Sequence, residues 1–163
     1  MPLRSDWTTE NCPIARSLEV LGDPWALLVL RQAFSGVRRF DHLRDQLAIA
    51  DNVLSARLAR LTAAGLLERV PYADGRRTRF EYVLTEAGAD TLPVLTALAQ
   101  WGERHRPHPD PAVRMDVVHR SCGEVTTTAD VCSQCGGRLS TSTTAWRKSW
   151  RTPGLLALTG APT

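Results

Sequence analysis

The chain has 163 residues, 43% of them hydrophobic, and a net charge of +3, which is enough apolar material for a core and excludes a disordered chain. No apolar run approaches the ~18 residues of a membrane span, and no basic, apolar leader opens the sequence, so a cytoplasmic protein with no membrane partner is expected. So small a net charge identifies no partner, and the distribution along the chain has to decide.

Residues 12–21 and 24–34 read as two helices split by Gly22-Asp23-Pro24, where glycine ends one and proline opens the next. The second is apolar nearly all round and should be central. After Ser35-Gly36, the residues Phe40, Leu43 and Leu47 line one side of a short helix. A break at residues 48–50 leads into a further helix that Asp51 can cap and Gly65 can close, a helix-turn-helix candidate. Residues 66–72 and 78–84 read as strands joined by a turn at Asp74-Gly75. A hairpin with an Arg-loaded tip directly after a helix-turn-helix is a winged helix. Thr85-Glu86 opens a last long helix, with Leu92, Leu95, Leu98 and Ala99 on one side, which Pro93 should kink or delay.

The Pro-rich residues 106–111 read as a linker, and residues 112–139 hold three of the four cysteines. From Ser140 the chain is Ser/Thr-rich, with Trp146 and Trp150, and reads as a tail. The fold class is therefore α+β: a winged helix-turn-helix domain over 1–105, the linker 106–111, a zinc-ribbon-like segment over 112–139 and a tail over 140–163. Residues 1–105 balance 13 Arg against 13 acids, yet residues 36–80 within them carry nine Arg against five. A local excess of that kind is what an electrostatic footprint for DNA leaves.

From Cys12 to about His105 the chain resembles the HxlR family of bacterial winged helix-turn-helix regulators. The resemblance rests on CPIARSLEVLGDPWALLVLR, on RRFDHLRDQL followed by IADNVLSARLARLTAAGLLERVPY, and on YVLTEAGADTLPVL. It implies a dimeric regulator of nearby genes whose first and last helices form the interface, and it marks Cys12 as the counterpart of a thiol sensor of oxidants or electrophiles. Nothing from residue 106 onward belongs to that resemblance.

Stepping ~100° per residue from Leu54 places Leu58 and Leu61 on the same inner side of the fourth helix, with Asn52, Ala56, Ala59, Arg60 and Ala63 opposite. Small side chains permit close approach to the major groove, Asn can read adenine and Arg guanine. Asn52, Ser55 and Ala56 are the expected base-reading residues, and Arg60, a turn further on, can meet a phosphate. Arg57 lies nearer the apolar side, where it can serve a structural ion pair with a neighbouring acid. Arg76, Arg77 and Arg79 at the wing are expected on phosphates or in the minor groove, with Arg38 and Arg39 as further phosphate contacts.

The rival reading is a zinc-containing redox or protein-interaction protein that uses the winged helix for protein contacts. An enzyme is not expected: Cys132-Ser-Gln-Cys135 runs into Gly136-Gly137 instead of a helix, and no His-x-Glu precedes it, so the thioredoxin and deaminase patterns both fail. The leucine stripe and Trp101 of the last helix exceed what one protomer can cover, which points to a homodimer on a double-stranded DNA operator. Cys12 opens the first helix, where the dipole, with Arg16 one turn on, favours a thiolate; a buried structural cysteine is the other reading. A small-molecule effector is left open.

Four cysteines without an export signal argue against disulfides. His119, Cys122, Cys132 and Cys135 form two x2-spaced pairs nine residues apart, a Cys3His set suited to one structural zinc ion with no open position. Gly123 and Gly136-Gly137 suit the tight knuckles, residues 125–131 are long enough for a short hairpin between them, and the segment has too few large apolar side chains to fold without the metal.

Overall fold

The computed structural model describes residues 6–151 and 153–162; the first five positions of the domain expected over 1–105, and positions 152 and 163 of the expected tail, lie outside the described residues. The helices α1 (Pro13–Leu21) and α2 (Pro24–Phe34) each open on a proline, whose fixed φ and missing N–H cost nothing in a first turn. Asp23 caps α2 by accepting the amides of Trp25 at 2.8 Å and Ala26 at 3.3 Å.

The helix-turn-helix is α3 (Phe40–Leu47) and α4 (Asp51–Ala63). Asp51 does not cap α4: Ala50 holds that position without a side-chain bond, and Asp51 stands inside the first turn, where its charge meets the positive end of the helix dipole. At its far end α4 closes as expected, with Leu66 N–H on the Leu61 carbonyl at 2.9 Å and Gly65 N–H on Thr62 at 3.0 Å.

The wing pairs β1 (Leu67–Asp74) with β2 (Arg77–Leu84) antiparallel, Leu67 opposite Leu84 and Asp74 opposite Arg77, which leaves Gly75-Arg76 as a two-residue loop. Arg39 bridges to Glu81, and the Tyr82 amide donates to the Arg38 carbonyl at 2.9 Å, so the lead into α3 is stitched to the wing. The expected long helix is two: α5 (Glu86–Ala89), then α6 (Leu92–His105) with Pro93 in its first turn. Proline starts the second helix because it cannot continue the first. At the centre α2 buries Val29, Leu30, Ala33 and Phe34 against Leu43, Leu54, Leu58, Leu61, Leu67 and Leu84.

A second antiparallel sheet, ordered β3-β4-β5, is built from β3 (Met115–His119), β4 (Thr144–Lys148) and β5 (Leu156–Ala157). Two of its strands come from the stretch read above as a tail. That stretch is rich in Thr and Trp, residues that fit a half-buried pleated surface, and a polar composition hid them. The sheet is docked: Trp146, opposite Val117, meets Phe34 edge-on at 6.0 Å, and the Thr159 amide donates to the Phe34 carbonyl at 2.9 Å. Val117, Trp146 and Leu158 thereby join the core built around α2. Among the described residues no helix is long and apolar enough to cross a membrane.

Candidate nucleic-acid interface and metal centre

On α4 the expected division of faces is present: Leu54, Leu58 and Leu61 are buried, while Asn52, Ser55, Ala56, Ala59, Arg60 and Ala63 are exposed. Arg57, in between, forms an ion pair with Asp23 at 2.6 Å. Burial opposes ionisation of Asp23, but Arg57 and the two capped amides outweigh it and hold its pKa below the ordinary carboxylate value. One carboxylate thus caps α2 and anchors α4.

Arg60 is also engaged within the chain. Its guanidinium reaches Glu19 of α1 at 2.8 Å and donates to the Glu19 carbonyl. A separation of 41 positions leaves no local signal in the sequence. Asn52, Ser55 and Ala56 remain as the outward residues of the first turns.

At the wing Arg76 and Arg77 are exposed at the tip. Arg79 pairs with Asp74 at 2.9 Å, and Arg39 lies 3.9 Å from the same carboxylate and 5.1 Å from the Tyr72 ring. Arg38, half-buried, lends its backbone to the wing. Exposed ion pairs of this kind are worth only ~0–1 kcal/mol, so they order the arginines without locking them away from a phosphate. Cys12 is exposed at the N-cap of α1, and Arg16 donates to the carbonyls of Glu10 at 2.6 Å and Asn11 at 2.9 Å.

The other expected cluster also comes together. The ligand atoms of His119, Cys122, Cys132 and Cys135 all lie within 4.8 Å of one another and could hold a metal ion. Cys122 Sγ and Cys132 Sγ are 3.8 Å apart, and His119 Nδ1 stands 3.3 Å from Cys122 Sγ and 3.2 Å from Cys135 Sγ. A tetrahedron of thiolates at ~2.3 Å from a common centre has edges of ~3.8 Å, so the donor set fits a four-coordinate metal. His119 and Cys132 are buried, Cys122 half-buried and Cys135 exposed.

Gly123 (φ 76) and Gly136 (φ 72) turn the two knuckles in the left-handed region. A Cβ at Gly137 would come 2.6 Å from His119 Cε1, so only glycine lets the imidazole into the cluster. Burial disfavours a thiolate at Cys132, but the amides of Gln134 and Cys135 and the neighbouring thiols outweigh it and lower its pKa. The expected hairpin across residues 125–131 is absent. Each knuckle is itself the reversal, turned at Gly123 and Gly136 and flanked by the bridges Val118 to Val125 and Val131 to Arg138.

Residues 20–110 match the family described as HxlR-like helix-turn-helix. The HTH-type transcriptional regulator Rv3095 of Mycobacterium tuberculosis is 41% identical over 132 residues, 80% of this chain and 82% of that protein. That length exceeds residues 1–105, so the similarity runs into the Cys/His segment. The solved structure of PA1607, described as a transcription factor, aligns with a TM-score of 0.67 at 36% identity over 82% of this chain and 92% of its own. The redox regulator HypR in its reduced form aligns with a TM-score of 0.54 at 29% identity over 58% of this chain and 94% of its own.

Proposed function

Since this chain belongs to the HxlR-like helix-turn-helix family, we propose that it is a DNA-binding transcriptional regulator whose α4 enters the major groove. The observation that carries this is the face of α4: small exposed residues and Asn52 lie over a leucine-packed underside, beside a hairpin tipped by Arg76 and Arg77. Asn52, Ser55 and Ala56 meet base edges. Arg76, Arg77 and Arg79, with Arg38 and Arg39 behind them, track the backbone or the minor groove. Arg60 orients α4 through Glu19 and reaches a phosphate only if that pair opens.

The regulator works as a homodimer on a double-stranded operator. Ile14 (70%) and Leu18 (51%) on α1 and Val94 (44%), Leu98 (47%) and Trp101 (56%) on α6 are exposed, apolar surface that a second copy would cover while setting two α4 helices ~34 Å apart. Residues 1–105 carry DNA contact and dimerisation; His119, Cys122, Cys132 and Cys135 bind one structural zinc in the segment 112–139. Four protein ligands leave no position open for chemistry.

Cys12 gives the regulator a redox response. It is exposed beside the α1 surface proposed for the dimer, and HypR, a redox regulator, has been solved in reduced and oxidised forms. A peroxide would oxidise the thiol to a sulfenic acid and be reduced to water, altering the dimer geometry.

Selection of fragments from a random DNA pool, followed by fluorescence anisotropy, tests the reading. A two-fold symmetric site should be enriched and bound by a dimer; a pool that emerges unenriched would overturn it. If Cys12→Ser protein is released from that site by peroxide as readily as the wild type, Cys12 is not the switch.

A further inference from the structure

Between α2, α6 and the C-terminal sheet lies a cavity of about 510 Å³, in the range of sites that take a small organic ligand. Its wall is mostly apolar, formed by Leu27 and Leu28 of α2, Leu98 of α6, and Trp146 and Trp150. Arg31, in the last turn of α2, lines the same cavity.

Two further cations, Lys148 and Arg151, lie near enough to Arg31 for charge repulsion, though neither is on the cavity wall. Lys148 is only 7% exposed; its ammonium donates to Ser35 Oγ at 3.0 Å and sits 4.7 Å over the Trp146 ring. Burial, then repulsion from Arg31 and Arg151, brings its pKa down to about 8. Among the described residues no carboxylate pairs with Arg31, Lys148 or Arg151. The one acid on the cavity wall, Glu103, accepts the Met115 amide at 2.8 Å.

Elsewhere Asp23 pairs with the half-buried Arg57, so a buried ammonium with no carboxylate partner, at Lys148, stands out. The C-terminal end of α2 offers about half a negative charge, which cannot match three positive ones. Burying an ammonium without a counterion is costly, and an anion from outside would remove that cost.

We propose that this cavity binds an amphipathic organic acid, its apolar body between α2, α6 and Trp150 and its carboxylate on Arg31 at the wall, where the nearby charges of Lys148 and Arg151 add to the attraction. The rival occupant is an apolar side chain from a second copy packed along α6. It would cover Leu98 but leave all three cations unpaired. Because α2 also packs on α4 through the shared core, occupancy would be felt at the DNA-facing helix; that consequence rests on the proposed function, and the binding itself does not.

Isothermal titration calorimetry on the full chain without DNA, with decanoate and its uncharged analogue decanol as probes, tests the site. Decanoate should bind once per chain and about tenfold or more tighter than decanol. Arg31→Gln and, at an exposed position that spares the fold, Arg151→Gln should each bring decanoate down toward decanol. Leu28→Trp should weaken both probes by filling the cavity. Decanoate binding no tighter than decanol, or binding that survives both glutamine variants, would overturn the proposal. So would failure of either probe to bind while sedimentation shows a dimer, which assigns the groove to the second copy. Operator affinity is measured separately on the same preparation, so loss of one reading leaves the other standing.

Discussion

In the winged domain, α2 is wrapped by leucines from α3, α4 and the wing, and the half-buried Arg57 meets a carboxylate. The C-terminal lobe buries Val117, Trp146 and Leu158 in that core, gathers one histidine and three cysteines within 4.8 Å and, among the described residues, leaves Lys148 without an acid. The first region packs its leucine-lined core and pairs its half-buried Arg57 within one chain. The second leans on what lies outside it: Phe34 for its tryptophan and, by our proposals, a metal for its knuckles and an anion for its cations. By these proposals the lobe depends on what it docks on, and it meets α2 directly where Trp146 packs on Phe34.

The widest separation of the two regions should come from the metal. Structural zinc contributes on the order of 10 kcal/mol or more to the folding of small Cys/His units. Cys132→Ser is therefore expected to abolish metal retention, with zinc falling from about one equivalent per chain to near none, and to erase the near-UV circular dichroism of Trp146 while helical far-UV signal persists. Elemental analysis and the two spectra check this. A metal-free wild type with its near-UV signal intact would show that the lobe stands without zinc.

Next comes the joint between the regions. Trp146→Ala empties the space against Phe34 and should cost about 3–5 kcal/mol in urea unfolding. Trp146→Phe should cost much less, since it keeps a ring there and removes an indole N–H that has no acceptor. An alanine variant as stable as the wild type would mean that the lobe is not docked.

Smaller effects belong to the DNA face, where side chains are exposed and stability is not at stake. Asn52→Ala should cost about 1–3 kcal/mol of discrimination at one base pair and leave others alone. Arg76→Ala should weaken all sequences alike and lower the salt-dependence slope by about 1. Anisotropy titrations on specific and random duplexes separate the two; an unchanged slope for Arg76→Ala would remove the wing from the contact surface.

What the sequence disclosed follows the same division. Helix periodicity, prolines at first turns and the turn at Asp74-Gly75 carry local information, and they placed α1 to α4 and the wing within a residue or two. The Cys/His cluster was legible because its residues sit at fixed x2 spacings beside glycines. Illegible were the contacts between distant segments: Glu19 with Arg60, Phe34 with Trp146, Ser35 with Lys148. No periodicity reports these. A short strand of Thr, Ala, Trp, Arg and Lys looks like a tail until α2 supplies the surface against which it alternates.

The last prediction turns on Lys148, the only lysine in the chain. Its folded pKa is about 8 against an ordinary 10.5, so between those values the unfolded chain holds a proton that the folded chain has released. Stability must then rise with pH through that window, whereas below it both states are protonated and the full penalty of the buried charge applies. Burial, then repulsion from Arg31 and Arg151, depresses it. Comparing wild type with Lys148→Met by urea unfolding at roughly pH 7 and pH 10 isolates the effect, because other titrations cancel between the two proteins. The wild type should gain on the variant as pH rises. Saturating decanoate should shrink that gain, since a carboxylate beside the ammonium raises its folded pKa toward the ordinary value. A gap between wild type and variant that does not change with pH would show that Lys148 carries its proton as comfortably as the paired arginines of the winged domain carry their charge, and the contrast between the two regions would fail at its most specific point.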